Sequence, residues 1–133
     1  MGRGLDSFDA YSWRSLLQAM EILVCAPRHA EALRLADGLE AAGARATIAQ
    51  DQEIALDRAL RRAYAIVVLT LDEGAEPAAP LRRKLAEDGT RLVLLASEER
   101  HDALRSAVPE AAVAARRISD RDLVLFLVKT ADE

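Results

Sequence analysis

The chain of 133 residues contains one cysteine, two histidines, one tryptophan and only 4% aromatic residues. Each scarcity removes something. The lone Cys25 cannot close an internal disulfide, and its place in the apolar run Ile22-Leu23-Val24-Cys25 predicts a buried, inert thiol. With only His29 and His101 available, a histidine-based metal site or a Ser-His-Asp arrangement lacks its parts. No run of about 18 apolar residues occurs, so no segment is expected to span a bilayer, and residues 1–19 carry no signal-peptide core, so the chain reads as cytoplasmic. A net charge of −4 supplies no general field for phosphate backbones, and direct nucleic-acid binding is not expected. The glycines of Met1-Gly2-Arg3-Gly4 follow no strand, which removes a dinucleotide reading. With so few rings, the core has to be built from Ala, Leu and Val.

What is present is an alternation. Residues 21–27 form a short continuous apolar run, consistent with a strand buried on both faces. Ala32, Leu35, Ala36, Leu39 and Ala42 then repeat at helical spacing up to Gly43, which stands where a helix stops. Residues 45–49 read as strand and 52–63 as a surface helix. Residues 64–71 form the strongest strand, rich in β-branched side chains. A loop with Gly74 and Pro77 leads to a helix opened by Pro80, then come strand 91–96, helix 98–107, a weak strand 111–115, and a last helix from Asp120 capped by Ser119. Five strands alternating with five helices through short links specify one α/β domain, a three-layer (βα)5 sandwich. Right-handed crossovers make the flavodoxin-like strand order 2-1-3-4-5 the expected one.

Residues 1–19 differ, holding Phe8, Tyr11 and Trp13, with Leu16, Leu17 and Met20 at spacings a short amphipathic helix could use. They read either as a helix or arm packing on the domain 20–133 or on a second subunit, or as a variable extension.

Residues 21–130 resemble the receiver domains of two-component signalling. The stretch Arg116-Arg117-Ile118-Ser119-Asp120-Arg121-Asp122-Leu123 is the best local match, similar to the segment where a lysine and a cis-proline precede a capped last helix. In that register the lysine becomes Arg116 and the proline Arg117. The acidic pair after the first strand falls on Ala26 and Pro27, the phospho-accepting aspartate on Thr70, the Ser/Thr after strand four on Ala96 with Ser97 next, and the aromatic switch residue on Val113. The resemblance therefore implies a degenerate receiver, or pseudo-receiver. Hard cations require charged or carbonyl oxygens, which alanine and proline side chains do not offer. Neither Mg²⁺, nor any cofactor, nor an aspartyl phosphate is expected, and the chain is not expected to be an enzyme. Thr70 has no neighbouring base to activate it as an acceptor.

Other charged groups have two readings each. Asp72 and Glu73 are displaced metal ligands or ordinary turn acids; Arg82-Arg83-Lys84 with Arg61 and Arg62 form a partner surface or solvent faces of helices. Arg116 either anchors an anion or pairs with Asp72, Glu73 or backbone carbonyls. The last helix is apolar over Leu123-Val124-Leu125-Phe126-Leu127-Val128, more than one inward face holds. The resemblance places receiver docking on helix four, strand five and helix five. Val113, Leu123, Val124, Phe126 and Val128 are thus candidate contacts for a homodimer or protein partner, unless the arm with Trp13 covers them.

The leading functional expectation is a bacterial, phosphorylation-independent signalling module that binds another protein or itself. Two alternatives stand beside it. Ala32 to Gly43, then Glu53-Ile54-Ala55-Leu56-Asp57-Arg58-Ala59-Leu60 and residues 64–71, are similar to the first half of Toll/interleukin-receptor domains, some of which cleave NAD, although that family's tryptophan–glutamate pairing is missing here. A domain sensing an anionic metabolite through Arg116 is the other.

Overall fold

The computed structural model describes residues 13–131, so Phe8 and Tyr11 lie outside the described residues. Five parallel strands, β1 (Glu21–Cys25), β2 (Arg45–Ala49), β3 (Ile66–Thr70), β4 (Arg91–Ala96) and β5 (Ala112–Ala115), form one sheet of order β2-β1-β3-β4-β5. Between and after them run α1 (His29–Ala41), α2 (Gln52–Arg61), α3 (Ala79–Asp88), α4 (His101–Ala107) and α5 (Asp120–Ala131). The fold class and strand order expected from the sequence are the ones observed. The register pairs Val24 with Val68 and Cys25 with Leu69, so β1 and β3 end side by side in mid-sheet.

Alternation along each strand divides the core into two layers. Ile22, Val24, Val68 and Leu95 face Leu35 and Leu39 of α1 and Leu123, Val124 and Leu127 of α5. Leu23, Cys25, Leu69 and Leu94 face Ala55 and Ala59 of α2, Leu81 and Leu85 of α3 and Leu104 of α4. Small residues on α2 let it approach the sheet closely, which an aromatic-poor composition demands. Among the described residues no helix is long and apolar enough to cross a membrane.

Local chemistry fixes the ends. Asp51 Oδ1 accepts from the Ile54 amide at 2.8 Å and starts α2, and Ser119 Oγ accepts from the Asp122 amide at 3.1 Å and starts α5. Gly89 closes α3 in the left-handed conformation, φ +69°. The fourth helix departs from expectation in its first turn. Residues Glu98–Arg100 form a 3₁₀ turn in which the Arg100 amide bonds back to Ser97 O, while the Arg100 side chain reaches out to the loop after β3.

Residues 13–19 are bonded into the domain. The Leu17 side chain is buried, its amide donates to Ala42 O at 2.8 Å, and the Ala19 amide donates to Gly43 O at 3.0 Å. Trp13 packs on the α1/α5 layer, with the Arg121 guanidinium 5.9 Å from its ring centroid. Residues 13–19 thus pack on the domain, with Trp13 against the layer that holds α1 and α5.

The remaining docking candidates separate by helical geometry. Positions 123, 124 and 127 share one stripe, so Leu123 and Val124 are core residues at 1% and 0% exposure, and their expected surface role is withdrawn. Val113 is buried on the sheet. Phe126 and Val128 flank the stripe and stay half-buried.

Candidate functional site

In this architecture ligands and chemistry belong outside the carboxyl ends of the strands. The residues in question converge there, but the ends are apolar: Ala26 and Ala96 are buried, Pro27 is exposed, and Thr70 closes β3 at 3% exposure. The Thr70 hydroxyl has no hydrogen-bond partner, the one buried side-chain polar atom in that condition among the described residues. No carboxylate of the described residues accepts a hydrogen bond from it, so no base is in place to take its proton.

Arg116, just past β5, occupies the middle of this end. Its Nε and Nη2 donate to the two carboxylate oxygens of Glu31 at 3.1 Å each, and its Nη1 donates to Asp72 Oδ1 at 2.8 Å and to Leu71 O at 3.0 Å. A guanidinium gripped by one bidentate carboxylate, a second carboxylate and a backbone carbonyl is surrounded much as a hard cation would be. The pairing reading of Arg116 holds, and any anion would have to displace Glu31 and Asp72. Glu31, on the first turn of α1, carries no sequence signal of this role; only the fold brings it 85 positions along the chain to Arg116.

The acids after β3 are likewise spoken for. Asp72 also takes a bond from Arg28 at 3.4 Å, and Glu73 Oε2 accepts from the Ser97 hydroxyl at 2.7 Å. Among the described residues no group of three or more His, Cys, Asp or Glu is placed to hold a metal ion. The loop that carries these acids is pinned from three sides. Gln52 donates to Glu76 O at 2.9 Å and accepts from the Ala78 amide at 2.6 Å, Arg100 donates to Asp72 O and Ala75 O at 3.0 and 2.7 Å, and Arg116 holds Leu71 O. Gln52 and Arg100 gave no signal in the sequence, because a loop clamp is a tertiary arrangement without local pattern.

The other basic residues are mostly neutralised: Arg61 by Asp57, Arg62 by Glu21, Arg82 by Glu110 and Lys84 by Asp88. The partner-surface reading of the Arg82-Arg83-Lys84 triplet loses most of its free charge.

The hydrogen bond from Arg116 holds the Asp72 carboxyl below its ordinary range, and that from Arg82 does the same for Glu110. Carboxyls depressed by folding stabilise the native state in full above their unfolded pKa of about 4, and lose that contribution as pH falls through the lower folded values. Stability measured by urea unfolding is therefore expected to hold from pH 7 to about 5 and to decline below about 4, with a shallower decline in Asp72→Asn.

On the flank, α4, β5 and α5 enclose a groove of about 410 Å³ in which Val113 and Phe126 come together with Arg105 and Lys129 at the rim. Two of the proposed docking residues thus share one surface depression. Trp13 and Val128 lie outside it.

No known family profile matches the chain, and no curated relative matches its sequence. Solved structures do match. A response regulator from Thermotoga maritima superposes with a TM-score of 0.74 at 19% identity, over 86% of this chain and 99% of the other. A CheY-like response regulator receiver domain from Methanospirillum hungatei gives 0.73 at 14% identity, over 86% and 95%. A de novo designed Rossmann 2x3 protein also matches, at 0.66 and 16%, over 85% and 92%. The chain has the CheY-like receiver fold. Since a designed protein also superposes on most of this chain, the function has to be argued from the site.

Proposed function

We propose that the chain is a receiver-like signalling module that works without phosphorylation, by docking onto a protein partner or a second copy of itself. The observation that carries this reading is the Arg116 cluster. Phosphoryl transfer to a receiver needs a nucleophilic carboxylate, a metal and a cation free to meet the incoming charge. Here the strand end offers a buried hydroxyl that is hydrogen-bonded to no base, and the cation is already held by Glu31, Asp72 and Leu71 O.

With the loop after β3 pinned by Gln52, Arg100 and Arg116, the carboxyl end of the sheet is held in one arrangement. The α4–β5–α5 flank, with its Val113–Phe126 groove, offers a surface for docking away from that end. Function then depends on docking at that flank and on regulation other than by phosphate. The pairing of Arg116 weighs against the metabolite-sensing alternative, since its donors are occupied. Nothing in the site favours the NAD-cleaving alternative.

Titration with Mg²⁺, followed by amide resonances, tests the metal-free reading. No saturable shift is expected at Thr70, Asp72, Glu73 or Arg116, and saturable shifts there would contradict it. Light scattering at high concentration tests the homodimer version, and a strict monomer would leave only the partner version.

A further inference from the structure

We propose that the cleft where β1 and β3 end binds a small organic cation, an ammonium or amidinium group carried on a compact apolar body. This inference is independent of the docking surface on the other flank. At this point of the sheet the chain leaves β1 to one side and β3 to the other, and the diverging loops leave a crevice. The cavity there measures about 400 Å³, within the range of small-molecule sites. Its apolar lining includes Cys25, Leu69, Leu71 and Ala75, which suits an aliphatic or aromatic body.

The charge at the rim has one sign. Asp51, Glu53 and Asp72 border the cavity, and no lysine, arginine or histidine is among its lining residues. Asp72 faces Arg116 and Arg28 on its other side and Asp51 caps α2, whereas the Glu53 carboxylate has no partner among the described residues. The positive end of the α2 dipole opposes these acids in part. Burial first, and then the negative charge of Asp51, pushes the Cys25 thiol up to about 12. The interior of the cleft is therefore unfavourable to anions. Thr70 borders the same cavity, and its unpartnered hydroxyl leaves an unmet hydrogen bond beside it.

Benzylamine, with benzyl alcohol and benzoate as neutral and anionic counterparts, probes the proposal in amide-resonance titrations of the full chain. Benzylamine is expected to give saturable shifts at Cys25, Leu69, Leu71 and Ala75 with a Kd on the order of 1 mM, as suits so small a ligand, and benzoate to bind at least about tenfold more weakly. The double variant Asp51→Asn with Glu53→Gln keeps a capping side chain on α2, so its fold is retained. It is expected to weaken benzylamine about fivefold while leaving benzyl alcohol unchanged. Ala75→Phe, which fills the cleft from the loop, is expected to abolish binding of both. Equal affinity for benzoate and benzylamine, an unchanged affinity in the double variant, or the absence of saturable shifts at the cleft would each overturn the proposal.

Discussion

Replacing Gly43 by alanine is expected to destabilise the domain by about 3 kcal/mol or more and to release residues 13–19 from it. Gly43 sits at φ +100°, where a side chain is strained, and a Cβ built there would lie 2.2 Å from the backbone oxygen of Arg14. A backbone oxygen cannot rotate aside as a side-chain tip can. Relief requires the 14–18 segment to move, breaking the bonds from Leu17 to Ala42 O and from Ala19 to Gly43 O and lifting Leu17 out of the core. Gly89→Ala is the control. Gly89 has φ +69° but open space around its Cβ position, so only the left-handed cost of about 1 kcal/mol applies. Urea unfolding followed by Trp13 fluorescence distinguishes the two, since Trp13 rides on the displaced segment. Equal losses in the two variants would show that the arm is not anchored at Gly43.

Arg116→Met is expected to cost about 2 to 3 kcal/mol. The Glu31 side chain is only 18% exposed, and without the guanidinium it is left partly buried and unpaired beside Asp72. Asp72, at 47%, is screened by water and adds little. Leu71 O also loses its donor, loosening one of the three clamps on the loop. Arg116→Lys is expected to recover part of the loss, because a point charge cannot reproduce the paired bonds to Glu31. Adding Glu31→Gln to Arg116→Met is expected to recover about 1 kcal/mol relative to the summed single losses, the signature of direct coupling. Urea unfolding of the four variants completes the cycle. Additive losses would mean that the cluster does not hold the site together.

The architecture was legible because strand burial and helix periodicity are local patterns. The apolar runs from Ile22 and from Ile66, the repeat at Leu35 and Leu39, and the Ser119 cap each identify an element without knowledge of its neighbours. The residue types at the strand ends, Ala26 after β1 and Thr70 closing β3, were legible too, since they are read directly from the sequence. What surrounds that end of the sheet was not. Glu31, Gln52 and Arg100 act only through partners 24 to 85 residues away, and no spacing rule distinguishes them from solvated helix residues. Of the six apolar residues from Leu123, helical geometry puts Leu123, Val124 and Leu127 on one buried stripe and leaves Leu125, Phe126 and Val128 half-buried, a division that a continuous apolar run does not reveal.

Incubation of the intact chain with acetyl phosphate and Mg²⁺, followed by intact-mass measurement, tests the central claim most directly. The account predicts no phosphoryl addition at any time point, with or without the metal. A stable, Mg²⁺-dependent phosphoryl adduct mapping to Thr70 would contradict it.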